Sequence, residues 1–247
     1  MKLKSVLGAV LAGALALGST LAYAQAGPIY LTPKLLYSRQ MTGSFNGTVN
    51  SGIFNTNYNG SDATDSVFGG GLAIGYDFGA VGYTPIRAEL EFLARGESET
   101  NYSGKLGGYT SLGTPIYSSY SVTNKIYTLF ANIYYDFVND TDFTPYIGGG
   151  IGGAYVDTTY SGLHANSSLR DGFVEGNGNT NDWNFAWNLG GGVSYDFSDS
   201  LALDVGYRYV DLGSAEPGSV STATYSGSPK LDYTSHEISV GLRFSGF

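Results

Sequence analysis

Apolar and polar residues alternate strictly in eight separate segments of the chain. The sharpest alternation lies in residues 86–95, where apolar residues such as Leu90 and Phe92 are interleaved with Glu89 and Glu91. A period of two residues predicts a β-strand with two different faces. The eight predicted strands are 29–39, 68–78, 86–95, 127–137, 145–155, 183–197, 201–209 and 237–244.

The length and spacing of these segments indicate where the strands lie. Each is about ten residues long, which suits a tilted strand that crosses a bilayer. The connections alternate between short ones at 79–85, 138–143 and 198–200 and long ones at 40–66, 96–120, 158–182 and 211–234. A soluble β-sandwich, the alternative, would have shorter strands with evenly distributed turns. We therefore predict an all-β fold: an eight-stranded antiparallel up-and-down transmembrane β-barrel with four long extracellular loops and three short periplasmic turns, closed between its first and last strands.

The first residues have the three parts of a secretory signal. Lys2 and Lys4 form a basic start, an apolar stretch follows, and Ala24 ends an A-x-A site. The apolar stretch is shorter than the ~20 residues of a membrane anchor. We predict a signal peptide at 1–24, with cleavage after Ala24 or alternatively after Ala26, and a barrel domain at 25–247.

Composition excludes several classes of function. The 247 residues include 12 basic and 21 acidic ones, for a net charge of −9, and no cysteine. An acidic chain is a poor partner for nucleic acid, whose phosphates need a basic surface. The lack of cysteine excludes a lipoprotein anchor, disulfides and cysteine-based metal or redox sites.

Charged residues on the predicted inner face are the most informative group. Five are basic and four are acidic: Lys34, Arg87, Glu89, Glu91, Arg95, Asp204, Arg208, Glu237 and Arg243. Charges buried at this density must pair or stay hydrated. We expect a salt-bridged lumen in which Asp204 pairs with Arg243 and Arg208 with Glu237, and strand 86–95 faces them. The alternative is a narrow hydrated path for ions.

Other motifs give little evidence of chemistry. Residues 148–153 satisfy G-x-G-x-x-G, but no helix follows to receive a pyrophosphate. His164 is expected in a long loop and His236 on the lipid face, opposite Ser235 and Ser239, so neither has partners for a catalytic triad. The acidic residues of the loops lack the spacing of a calcium loop: Asp62, Asp65, Asp157, Asp171, Glu175 and Asp182. We predict no catalytic, cofactor or metal site.

Three strand sequences resemble a known family. Residues 131–137, 144–152 and 203–209 are similar to the small outer-membrane β-barrel superfamily, which includes opacity-type surface proteins, the barrel half of OmpA and alphaproteobacterial surface antigens. The resemblance implies the outer membrane of a Gram-negative bacterium, with membrane lipid and lipopolysaccharide around the barrel. It also implies that Phe247 is an assembly signal for the barrel-assembly machinery, after transport by periplasmic chaperones, and we expect no segment for a periplasmic peptidoglycan-binding domain.

The predicted loops suggest where the function lies. They are rich in Asn, Ser, Thr, Gly and Tyr, which combine adaptable hydrogen bonding with amphipathic contact area. We therefore expect a monomeric surface protein, structural, antigenic or adhesive, with host surface molecules as partners. A small porin is the second hypothesis, and an outer-membrane lipid-modifying enzyme is a remote third.

Overall fold

The computed structural model describes residues 27–43, 46–51, 54–59, 63–109, 115–166, 178–215, 220–222, 225–227 and 231–246. The predicted signal peptide and Phe247 lie outside these residues. The described ranges contain thirteen strands, in chain order β1 Ile29–Thr42, β2 Asn46–Ser51, β3 Phe54–Asn59, β4 Ala63–Asp77, β5 Ile86–Arg95, β6 Ser98–Tyr109, β7 Pro115–Asp136, β8 Phe143–Asn166, β9 Gly178–Ser198, β10 Leu201–Ala215, β11 Val220–Thr222, β12 Tyr225–Gly227 and β13 Leu231–Ser245. No helix in this part of the chain is long and apolar enough to span a membrane.

Eight of these strands close into a barrel. Strands β1, β4, β5, β7, β8, β9, β10 and β13 each pair antiparallel with the next, and β13 returns to pair with β1. In that closing ladder Leu35 lies opposite Val240. The predicted eight-stranded barrel is confirmed, and its closed ladder leaves no unpaired edge within the bilayer.

The short connections lie together at one end of the barrel. Between β4 and β5 the chain makes a 3₁₀ turn at Gly79–Val81, and Gly82 ends this turn with φ of 81°. Only glycine adopts that left-handed conformation without strain. Residues 137–142 and 199–200 make the other two turns.

The opposite end differs from the prediction. Much of the sequence predicted as long loops continues as strand: β7 begins at Pro115, β8 runs to Asn166, and β6 forms a hairpin with β7. His164 therefore lies in β8, and its expected place in a loop is wrong. Above a membrane both faces of a strand meet water, so the alternation of apolar and polar residues stops there. The backbone hydrogen bonds of the ladder continue, because they do not depend on that alternation.

The two faces of the barrel wall have opposite character. Leu90, Ile133 and Val205 point outward and are 51%, 57% and 43% exposed, as the alternation predicts for a lipid-facing surface. Aromatic pairs mark the short-turn end of this surface, with ring centroids 4.8 Å apart for Tyr76 and Phe78 and 5.2 Å apart for Tyr135 and Phe137.

Glycines on β8 make room for large neighbours on β7. A Cβ atom at Gly148 would lie 2.3 Å from the ring of Tyr134, and one at Gly150 would lie 2.0 Å from Oδ1 of Asn132. A Cβ at Gly152 would lie 2.0 Å from the carbonyl oxygen of Leu129. The glycine run therefore serves packing inside a strand, which agrees with the absence of a following helix.

Candidate functional site

The predicted lumenal charges do converge inside the barrel. They project inward from four strands, β1, β5, β10 and β13, because every second residue of each strand faces the barrel axis. Each of the nine side chains is at most 12% exposed. Two linked groups can be distinguished, one near the short turns and one nearer the middle of the barrel.

The middle group, here called the upper cluster, consists of Lys34, Glu89, Glu91, Arg95, Arg208 and Glu237. Glu91 accepts hydrogen bonds from Lys34 Nζ at 2.7 Å and from Arg208 Nη1 at 2.6 Å. Glu237 is 2.9 Å from Arg208 and 2.6 Å from Arg95 Nε, and Lys34 also pairs with Glu89. Three cations and three anions thus form one continuous chain of ion pairs.

The lower cluster consists of Arg87, Asp136, Asp196, Asp204 and Arg243. Arg87 donates two hydrogen bonds to the carboxylate of Asp136, from Nε to Oδ2 at 2.7 Å and from Nη2 to Oδ1 at 2.8 Å. Arg243 Nε lies 3.9 Å from Asp204 Oδ2 and Arg243 Nη2 lies 3.5 Å from Asp196 Oδ1. Ser194 also donates a hydrogen bond to Asp204.

Both ion pairs predicted between the last two strands are present. Arg208 lies directly opposite Glu237 in the antiparallel register, and Asp204 pairs diagonally with Arg243. The expectation that strand 86–95 faces them is also confirmed, because Glu91 reaches Arg208 and Arg87 Nη1 lies 4.0 Å from Asp204 Oδ2.

Two lumenal acids were missing from the predicted set. Asp136 and Asp196 occupy inward positions near the short-turn ends of β7 and β9, and both contact arginines of the lower cluster. The inward phase of each strand was the signal that could have identified them. With these two residues the network has five basic and six acidic members, so its charges remain nearly balanced.

Aromatic rings and a small cavity lie between the two clusters. The guanidinium carbon of Arg87 lies 5.2 Å from the ring centre of Tyr134 and 5.0 Å from that of Tyr146. A cavity of about 40 Å³ is lined by residues of both clusters and by these tyrosines. A single water needs roughly 10–15 Å³ of such volume, so the cavity has room for very few waters.

An apolar layer lies above the charges, on the side of the long connections. Val210 is the next inward residue after Arg208, and Phe130, Ile126, Leu212 and Tyr233 pack beside it. These side chains are at most 2% exposed. The lumen is therefore filled first by ion pairs and then by apolar side chains in this part of the structure.

Outside the lumen, His236 and the acidic side chains that the structure describes do not assemble a reactive centre. His236 lies on the outer face, with Nδ1 2.6 Å from the hydroxyl of Tyr207, whereas Ser235 points inward and donates a hydrogen bond to Glu237 at 3.1 Å. Within the described ranges, no three His, Asp or Glu side chains come together as metal ligands would. Asp62, Asp171 and Glu175 lie outside those ranges.

Comparison with known proteins identifies the family. Residues 10–244 match the model of the outer membrane protein beta-barrel domain. The chain belongs to this family. It is 33% identical over 193 residues to the outer membrane protein PagN of Salmonella typhimurium, an alignment covering 74% of this chain and 75% of that protein. The protein is accordingly a barrel of the Gram-negative outer membrane.

Further relatives agree with this assignment. A Rickettsia conorii protein named "putative adhesin" is 31% identical over 134 residues, which is 51% of each chain. The crystal structure of the outer membrane protein OprG from Pseudomonas aeruginosa superposes with a TM-score of 0.51 at 18% identity, covering 90% of this chain and 98% of that one. This likeness shows the fold alone. These two sequence relatives are named as an outer membrane protein and as an adhesin, and neither is named as an enzyme.

Proposed function

We propose that this barrel is an adhesive surface protein and that the strands and connections above the membrane bind a partner on host cells. The extension of the strands beyond the bilayer carries the proposal. Outward apolar residues of β8 end at Tyr155, beyond which Asp157 and Thr159 face outward and the strand continues to Asn166. A membrane-spanning strand needs about 9–11 residues, whereas β7 has 22 and β8 has 24.

The extension provides a structured platform. Eleven residues of β8 follow Tyr155, a length of roughly 35 Å at about 3.3 Å per residue before tilt. Strand β8 pairs there with both β7 and β9, and β6 pairs with β7 on the other side. A four-stranded sheet thus stands above the barrel, on the side that we assign to the cell exterior. The adhesin names among the relatives support the same function.

The charge of the long connections restricts the chemistry of the partner. Residues 40–66, 96–120, 158–182 and 211–234 contain ten acidic residues and three basic ones. Such a surface repels polyanions and favours a neutral or basic partner, such as an uncharged glycan or a basic protein surface.

Adhesion can be tested with trimmed barrels on whole cells. In one variant, an Asn-Gly turn joins Thr159 to Asn179, residues that face each other in the β8–β9 ladder. We expect this variant to lose most binding of non-adherent bacteria to cultured host cells, while a matched shortening of the periplasmic turn at residues 138–142 leaves binding unchanged. Surface display of both variants is checked by antibody. Unchanged binding by a properly displayed barrel with all four long connections trimmed would refute the proposal.

The ion pairs and apolar side chains that fill the lumen argue against the porin alternative. Conduction would require several buried ion pairs and the apolar layer of Phe130 and Leu212 to rearrange together. We therefore expect no steady single-channel steps in planar bilayers. Steady steps from the unmodified protein would favour transport instead.

Export and assembly complete the proposal. We infer that residues 1–24 are removed on export, that periplasmic chaperones carry the chain, and that Phe247 presents it to the barrel-assembly machinery, as the family resemblance implies. The barrel would then act as a monomer surrounded by outer-membrane lipid and lipopolysaccharide. Deletion of Phe247 should lower the amount of folded barrel in outer-membrane fractions, whereas deletion of a residue from the connection at 223–224 should not.

A further inference from the structure

The lipid-facing surface of the barrel carries very few cations. Among the outward-facing side chains that the structure describes on the eight barrel strands, the two permanently charged cations are Arg39 on β1 and Lys125 on β7. Lys125 Nζ lies 3.2 Å from Glu97 Oε1, and this hydrogen bond lowers the pKa of Glu97. The charge of Lys125 is therefore matched within the protein.

Arg39 has no such partner among the described residues. Its neighbours in the two adjoining ladders are Ser66 on β4 and His236 on β13, and no carboxylate of a described residue is paired with its guanidinium. The Arg39 side chain is exposed. An unpaired guanidinium facing a membrane is stabilised when it reaches an anion or the water of the interface.

The position of Arg39 along the strand suggests which anion it meets. It lies one outward position above Tyr37, whose ring centre is 5.4 Å from that of Phe68. On the other side, the ring of His236 lies 5.4 Å from Tyr209, which in turn lies 5.6 Å from Trp187. A belt of aromatic rings marks the boundary between acyl chains and headgroups. Arg39 is therefore at the depth where lipid phosphates lie.

The neighbouring groups add hydrogen-bonding capacity to this position. Ser66 Oγ accepts a hydrogen bond from Tyr37 Oη at 3.0 Å and keeps its own hydroxyl proton to donate. His236 uses Nδ1 toward Tyr207, which leaves Nε2 for a second partner. Arginine binds phosphate through two parallel N–H groups, a geometry that a lysine ammonium does not reproduce.

We propose that Arg39, with Ser66 and His236 beside it, binds the phosphate of a membrane lipid on the outer wall of the barrel. The site depends on the outer-membrane location and not on adhesion; only its assignment to the outer leaflet rests on the proposed orientation. The recognised group is a phosphate ester whose acyl chains pack on the apolar wall below, among residues such as Leu35 and Ile238.

The proposal can be tested on the refolded mature barrel in dodecyl maltoside, a detergent without phosphate. Native mass spectrometry measures the binding of phosphorylated lipid A and of the same lipid after enzymatic removal of its phosphates. We expect Arg39→Gln to weaken binding of the phosphorylated lipid by about tenfold, a change equal to about 1.4 kcal/mol, and to leave the dephosphorylated lipid unaffected. Arg39→Lys should bind the phosphorylated lipid with an affinity between those of the unmodified protein and Arg39→Gln. Lysine keeps the charge but lacks the two parallel N–H groups of arginine.

Lys125→Gln is the matched control, since it removes an outward cation that already has a carboxylate partner. It should change binding of phosphorylated lipid A by less than about twofold. Heat-modifiable mobility in gels confirms that each variant is folded. Equal losses for Arg39→Gln and Lys125→Gln, or no loss for Arg39→Gln, would overturn the proposal. Displacement of the lipid by excess inorganic phosphate would overturn the assignment to a lipid and indicate a site for free phosphate instead.

Discussion

The ion pair between Arg208 and Glu237 allows a quantitative test of the lumenal network. Glu237 accepts hydrogen bonds from Arg95 at 2.6 Å and from Arg208 at 2.9 Å, so Glu237→Ala removes an anion shared by two buried arginines. After Arg208→Ala, by contrast, Glu237 keeps Arg95 and Glu91 keeps Lys34 at 2.7 Å. Breaking a buried pair costs about 3–5 kcal/mol, because the remaining charge is left unpaired. We expect the loss of unfolding free energy to lie at the upper end of this range for Glu237→Ala and at or below its lower end for Arg208→Ala.

The double variant measures the coupling between the two residues. Residues in one ion-pair network typically show interaction energies of about 0.5–3 kcal/mol, so the double variant should lose less stability than the sum of the single variants. The assay is urea unfolding of the barrel in lipid vesicles, followed by the emission of Trp183 and Trp187 on the lipid-facing wall. The exposed pair Lys125–Glu97 serves as a control and should leave the urea midpoint nearly unchanged. Additive losses within about 0.5 kcal/mol, or a greater loss for Arg208→Ala than for Glu237→Ala, would refute the described sharing of charge.

Three further predictions concern the wall and the orientation of the barrel. Leu90→Arg places a cation against lipid and should lower the unfolding free energy by about 2–4 kcal/mol in vesicles, whereas Leu90→Met should not; an unchanged midpoint for the arginine variant would show that residue 90 does not face lipid. Gly152→Val should give no folded band in heat-modifiable gels, because its Cβ would lie 2.0 Å from the Leu129 carbonyl oxygen; Gly153→Ala is the tolerant control, with a Cβ 3.4 Å from the ring of Trp183. Tags near the long connections should be labelled on intact cells, and labelling of a tag in the turn 139–142 on sealed cells would reverse the orientation. The four tag positions are Asn57, Gly107, Asn177 and Gly218.

The membrane explains why so much of the barrel could be predicted from sequence. Within the bilayer one face of each strand meets hydrocarbon and the other meets a packed lumen, so Leu90 and Glu91 had to differ in polarity. The same alternation identified which charged residues face the lumen. The pairing of Arg208 with Glu237 could be inferred as well, because residues on neighbouring antiparallel strands can be matched by their distance from the short-turn end.

Other features depend on contacts that alternation does not encode. Above the bilayer the two faces of β8 no longer differ in polarity; Thr158 and Thr159, for example, lie on opposite faces. Alternation therefore could not predict that β8 continues to Asn166. The pair formed by Arg95 and Glu237 joins β5 to β13, which are not neighbours in the ladder order. Its existence depends on the stagger and diameter of the closed barrel, and these are properties of all eight strands together.

The ladder between β1 and β13 has a consequence for the order of events in biogenesis. Leu35 finds its partner Val240 more than 200 residues later in the chain, so the wall cannot be completed until the last strand has left the ribosome and crossed the inner membrane. Contacts of such long sequence separation form slowly, since the entropy of closing the chain must be overcome first. Every shorter intermediate would have two strands with free backbone groups, which hydrocarbon does not solvate. Insertion should therefore be an all-or-none step at the end of export, and a chain truncated before Leu231 should be degraded in the periplasm rather than persist as a partial barrel.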